Sequence, residues 1–162
     1  MKAKTILLHC RGAHPLSVVA FIVTALVATA LSSCSIESSD NGDLDGYWHL
    51  ERIDTIATAG VNDLSEQRLF WSVNNKLLML RGDTISYFMR FRQTADSLVV
   101  FSPYLNGGHE DIEGGGDHLI NNPALLHPYG IGRLEEHFVK ESMSGSHMVL
   151  RSPELRLYFR KF

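Results

Sequence analysis

The chain has 162 residues, with 15 basic and 18 acidic side chains, 44% hydrophobic residues and two cysteines. That is a globular composition, and its acidic balance excludes the positive field that a nucleic-acid backbone or an anionic lipid surface requires. Lys2, Lys4 and Arg11 precede every acidic residue; without these three, Cys34–Phe162 carries 12 basic against 18 acidic groups, a net charge of −6.

The N-terminal basic residues lead into Leu16–Leu31, an apolar run of 16 residues broken only by Ser17, Thr24 and Thr29. A basic start, an apolar stretch and small residues after it form the pattern of a secretory signal peptide. As a helix this run spans about 24 Å, short of a ~30 Å hydrocarbon core, which weighs against the alternative of an uncleaved anchor helix. Leu31-Ser32-Ser33-Cys34 follows at once and resembles the lipobox of bacterial lipoproteins. The resemblance implies cleavage before Cys34, a diacylglycerol thioether on its sulfur and acylation of the new amino terminus. Two or more acyl chains hold a protein on a membrane stably where one does so marginally. Cys10 lies in the part removed, so the mature chain keeps one thiol and no internal disulfide. The covalent lipid on Cys34 is the only non-protein group expected, with no cofactor and no metal.

The expected division is a lipoprotein signal peptide over 1–33, a flexible linker over 34–44 and one domain over 45–162. Ser35–Leu44 (SIESSDNGDL) is rich in Ser, Asp and Asn, as a linker is. Ser35, rather than Asp, beside the anchor implies the outer membrane by resemblance to lipoprotein sorting. Glu37, Asp40 and Asp43 resemble the acidic stretch of surface-displayed lipoproteins, and periplasmic and surface faces both stay open.

Beyond the linker the signals are for strands. Gly46–Ile53 opens with Trp48 and Leu50 on one phase. Leu69–Val73 and Lys76–Leu80 flank a two-residue turn at Asn74-Asn75, and Gly82-Asp83 fits a type II′ turn. Ile85–Arg92 alternates Ile85, Tyr87, Met89 and Phe91 with Ser86, Arg90 and Arg92, broken only by Phe88, and Leu98–Phe101 follows Thr94-Ala95-Asp96. Glu136–Glu141, His147–Arg151 and Leu155–Lys161 complete the set, although Ile131, Leu134 and Phe138 also fit a helical phase. Tight connections make neighbouring strands antiparallel, and eight of them close into an up-and-down barrel without exposed edges. The fold class is all-β.

Gly46-Tyr47-Trp48 at the head of the first strand resembles the Gly-x-Trp signature of the lipocalin superfamily. Residues 45–162 are similar as a whole to small bacterial lipocalin-like lipoproteins of uncharacterised function. The resemblance implies that Trp48 plugs the closed end of the barrel under an arginine from the last strand, with Arg160 first and Arg156 second. It departs from the family in a long insertion between strands five and six, Pro103–Gly132.

Two places could carry function. The inward phase holds Trp48, Leu50, Trp71, Val73, Tyr87, Met89, Phe91, Leu98, Val100, Leu157 and Phe159. Of these, Trp48, Trp71, Tyr87, Met89 and Phe91 would line a pocket for a small apolar ligand, or else simply fill the core. The insertion brings His109, Asp117 and His118 as ligand types suited to a divalent cation, but at no known metal-site spacing. Asn122 is expected to cap one helical turn from Pro123, ended before Pro128. Ile112, Leu119, Ile120, Leu125, Leu126 and Ile131 would cover the outward Phe70, Phe88, Val99, Phe101 and Tyr158. No Gly-x-Ser-x-Gly elbow and no phosphate-binding glycine loop is present, so an enzyme is not expected. The remaining readings are a lipid-anchored binder of a small apolar molecule, or an accessory subunit that binds a protein or glycan with its outer surface.

Overall fold

The computed structural model describes residues 39–107 and 116–162. Cys34 and the expected signal peptide therefore lie outside the described residues, as does His109. Among the described residues there are ten strands: β1 (Gly46–Thr55), β2 (Gly60–Asp63), β3 (Phe70–Asn74), β4 (Leu77–Arg81), β5 (Ser86–Gln93), β6 (Ser97–Leu105), β7 (His118–Leu119), β8 (Glu136–Met143), β9 (His147–Arg151) and β10 (Leu155–Lys161). Eight of them, β1, β3, β4, β5, β6, β8, β9 and β10, pair antiparallel in that order, and β10 returns to β1 to close the barrel. These are the eight strands expected from the alternation of apolar and polar residues.

β2 and β7 were not legible as strands. Each hangs on a barrel strand that bends. β1 pairs with β3 through Gly46–His49 and with β2 through Arg52–Thr55, on either side of a bulge at Glu51. β6 pairs with β8 through Ser97–Val100 and with β7 through Tyr104 and Leu105. Its kink falls at Ser102, whose φ is +51°, opposite a register shift in β5. An extra residue at such a bulge turns the strand and ends its pairing on one side. The insertion thus starts after Leu105, later than the expected Pro103.

Two turns differ from expectation. β3 and β4 close with Asn74 opposite Leu77, so the turn residues are Asn75 and Lys76, one position on, with Asn75 at φ +52°. Asn tolerates that conformation better than most residues. Arg81 pairs with Ser86 around a four-residue connection, and Gly82 does not take the positive φ that a type II′ turn needs. Gly82 makes room instead: a Cβ there would lie 2.8 Å from the Tyr129 hydroxyl.

The compact unit that carries the barrel runs from Ser39 to Phe162, so it includes residues 39–44 of the expected linker. Gly42–Leu44 forms a 3-10 turn and Leu44 is buried. Asn41 ties this turn to the barrel, donating to the Asn75 carbonyl and accepting from Gln93 Nε2 at 3.1 Å.

Candidate functional site

Alternation along the strands sends ten of the eleven expected inward residues into a buried core; the eleventh, Phe91, is half-buried and packs against it. Trp48, Trp71 and Met89 have no solvent exposure, and Tyr87 is buried. The Trp71 ring packs on two others, its centroid 5.8 Å from Phe138 and 5.0 Å from Phe159. Packed aromatic pairs at these separations are favourable beyond the area they bury. With Leu50, Leu98, Val100 and Leu157 these side chains form one continuous buried cluster inside the barrel.

Both ends are closed by the chain itself. At the end where β1 begins, the Trp48 indole N–H donates to the Leu44 carbonyl at 2.8 Å. The cation above this ring is Lys161, with Nζ 4.7 Å from the ring centroid, and not Arg160. Arg160 faces outward and pairs with Glu51, while Arg156 pairs with Glu141. Strict alternation explains the difference. Trp48 points inward, and Lys161 stands directly opposite it in the register, whereas Arg160 is opposite the outward His49. Gly46 fits beneath the lysine stem: a Cβ would approach Lys161 Cε to 2.6 Å.

The other end is closed by the insertion. Pro123–Tyr129 forms a 3-10 helix, with Asn122 Oδ1 accepting from Ala124 N at 3.0 Å as the expected cap. It continues through Pro128, beyond the expected stop, and ends on Gly130 at φ +77°. Ile120, Leu126, Tyr129 and Ile131 all join the core. The Tyr129 ring packs edge-on against Tyr87 at 5.9 Å, and its hydroxyl donates to the Ile85 carbonyl at 3.4 Å. Burial pushes the Tyr129 phenol up to about 12.

Ile120, Leu126 and Ile131 thus pack into the barrel end and not over the outer wall as expected, while Ile112 lies outside the described residues. Leu119 and Leu125 are exposed, and the wall shields itself. Tyr47 and Phe162 pack on Phe70, the Arg92 guanidinium lies 4.9 Å above Phe101, and that of Arg52 lies 4.0 Å above Tyr158. Asp117 and His118 are exposed, and Asp117 accepts from the Gly107 N–H. Among the described residues no three His, Cys, Asp or Glu side chains converge as a metal site would need.

Outside the barrel, open grooves of about 550 and 570 Å³ lie beside β2. The first holds Glu141 between Arg151 and Arg156, which reach it at 2.8 and 2.7 Å. The second runs past Arg52, Tyr158 and Val149. Asp54 and Glu141 both sit below the usual carboxylate range, the first through its hydrogen bond from Arg52 and the second through that from Arg156. β2 ends the strand order, so its second edge pairs with no other strand among the described residues.

A closed eight-stranded antiparallel meander, plugged by a tryptophan at one end, is a lipocalin-type barrel. The chain belongs to the lipocalin-like domain family, which residues 29–162 match. Its fold is similar to that of a lipocalin-like protein from Bacteroides uniformis, with a TM-score of 0.54, 17% identity, and coverage of 75% of this chain and 100% of that one. It is also similar to an uncharacterized protein from Bacteroides eggerthii, with a TM-score of 0.51, 16% identity, and coverage of 73% and 98%. No curated protein matches.

Proposed function

We propose that this chain is a non-enzymatic lipoprotein of the bacterial outer membrane, anchored through Cys34, and that it binds a protein or glycan partner with its outer wall. The lipobox-like Leu31–Cys34 after an apolar run supports the anchor. The observation that carries the surface reading is the environment of Trp71. It is fully buried, in contact with Phe138 and Phe159, and hydrogen-bonded to the insertion that closes the barrel. Small barrels of this size either hold one ligand or fill with side chains, and this interior is packed.

Mass spectrometry of the full chain, purified from membranes in a neutral detergent, tests both parts. The denatured mass is expected to start at Cys34 and to include acyl chains, and a Cys34→Ser variant to lack them. The native mass is expected to carry no apolar guest. A stoichiometric lipophilic adduct that survives detergent exchange would restore the barrel interior as the binding site.

A further inference from the structure

A third groove, of about 430 Å³, runs across the outer wall of β10, β1, β3 and β4. Its floor is one cross-strand row, because Arg160 pairs with His49, His49 with Phe70 and Phe70 with Arg81. Alternation makes every member of this row face outward, so an aromatic centre stands between two guanidinium groups. Three rings form the apolar part. Tyr47 and Phe70 stack at 4.7 Å with planes 16° apart, and Phe162 meets them edge-on at 6.1 and 5.7 Å. Phe162 is 78% exposed. The 65–68 connection makes the opposite wall with Ser65, Glu66, Gln67 and Arg68. It is held in place by buried His49, whose Nε2–H donates to the Gln67 carbonyl at 2.7 Å.

The charges in the groove are unequal. Arg160 is neutralised by Glu51, and Arg68 lies 3.9 Å from Asp83. Arg81 has no carboxylate within 4.0 Å among the described residues. Arg81 thus stands beside exposed aromatic carbon without an ion-pair partner among the described residues, and the groove's own carboxylate, Glu66, lies on the opposite wall.

We propose that this groove binds an acidic sugar residue of a glycan, with its C–H face on the Phe162–Tyr47 edge and its carboxylate on Arg81. An open groove leaves one face of its ligand in water. That suits a pyranose ring, apolar on one face and rimmed by hydroxyls, better than a flat aromatic acid, which loses most by leaving a face wet. Ser65 and Gln67 supply neutral donors and acceptors for hydroxyls, and arginine recognises a carboxylate with two parallel N–H bonds. The proposal rests on the outer wall being the working surface, and it names the ligand class and the residues.

Isothermal titration calorimetry of the full chain in neutral detergent tests it, with trigalacturonate, its neutral galactose counterpart and benzoate as probes. Trigalacturonate is expected to bind with an affinity that falls with added salt, at least tenfold tighter than the neutral trisaccharide. Arg81→Gln is expected to remove that tenfold preference without changing the melting temperature, since Arg81 is exposed. Phe162→Ala is expected to weaken both saccharides. Equal binding of the neutral saccharide would overturn the role of Arg81, and binding of benzoate alone would overturn the sugar. No binding of any probe would overturn the groove as a site. A bare native mass in the preceding experiment would still leave the outer-wall reading standing, so the two failures are distinguishable.

Discussion

The indole N–H of Trp71 on β3 donates to the main-chain carbonyl of Tyr129, 58 residues further along the chain, at 3.2 Å. One side chain therefore joins the barrel wall to the insertion that closes it. Replacing Trp71 by Phe keeps an aromatic ring but leaves a buried carbonyl without its donor, which costs about 1–3 kcal/mol. Tyr129→Ala removes the plug and is expected to cost about 3–5 kcal/mol, as for other large aromatic truncations. Urea unfolding followed by circular dichroism checks both. The Tyr129→Ala variant is also expected to bind an apolar fluorophore in the opened mouth, and an unchanged midpoint would mean that the insertion only rests on the barrel.

Tyr129 also sets an alkaline limit. Its phenol titrates at about 12 in the folded protein against an ordinary value of 10.0, because burial disfavours the phenolate. A raised folded value means that the folded state holds its proton more tightly. This contribution is complete below pH 10.0 and is lost as pH rises from there through about 12. Stability measured across that range is expected to fall more steeply for the unaltered chain than for Tyr129→Phe. Identical slopes would place the phenol in water.

The eight barrel strands were legible because period-2 alternation and short polar turns are local signals, and nearly every inward residue they picked is buried. β2 was not legible: Gly60–Asp63 is exposed along its whole length and carries no alternation, so only its pairing with β1 makes it a strand. The closing cation was misplaced by one residue because the family resemblance supplied a residue type, whereas register decides which side chain faces Trp48. The insertion was hardest. Leu119, Ile120, Leu125 and Leu126 have similar polarity, yet only Ile120 and Leu126 are buried. Leu119 and Ile120 are separated by the pairing of this segment with β6, and Leu125 and Leu126 by the 3-10 geometry held by Trp71 on the Tyr129 carbonyl, so both depend on residues distant in the chain. The outer groove was invisible for the same reason, since its row is assembled from four different strands.

On the acid side, the outer wall of β1, β8, β9 and β10 is expected to fail first. The folded values of Asp54 and Glu141 are depressed by arginine hydrogen bonds. Their contribution is present above the ordinary carboxylate value of about 4 and is lost as pH falls through the lower folded values. Glu141 sits at the bulge of β8 and separates Arg151 from Arg156, which face each other across β9 and β10. Glu141→Gln leaves that like-charge pair unscreened and is expected to lower stability at pH 7 while flattening its decline below about pH 4. Urea midpoints measured over pH 2–7 decide this, and parallel curves for the two proteins would remove Glu141 as a contributor.

Two glycines separate a packed interior from a loosely filled one. Gly46 has φ +128°, and the three atoms nearest an added Cβ all belong to the Lys161 side chain, which can swing away from Trp48. Gly46→Ala is therefore expected to cost mainly backbone strain, about 1–2 kcal/mol. Gly130 has φ +77°, and its Cβ would come within 2.5 Å of Leu157 Cδ2, a side chain with no exposure. In a close-packed core Leu157 has nowhere to go, so Gly130→Ala adds about 1–3 kcal/mol of overpacking to a similar strain. Chemical denaturation is expected to rank Gly130→Ala below Gly46→Ala in stability. The reverse order would mean that Leu157 rotates into empty volume, and a barrel with room for that has room for a small apolar guest.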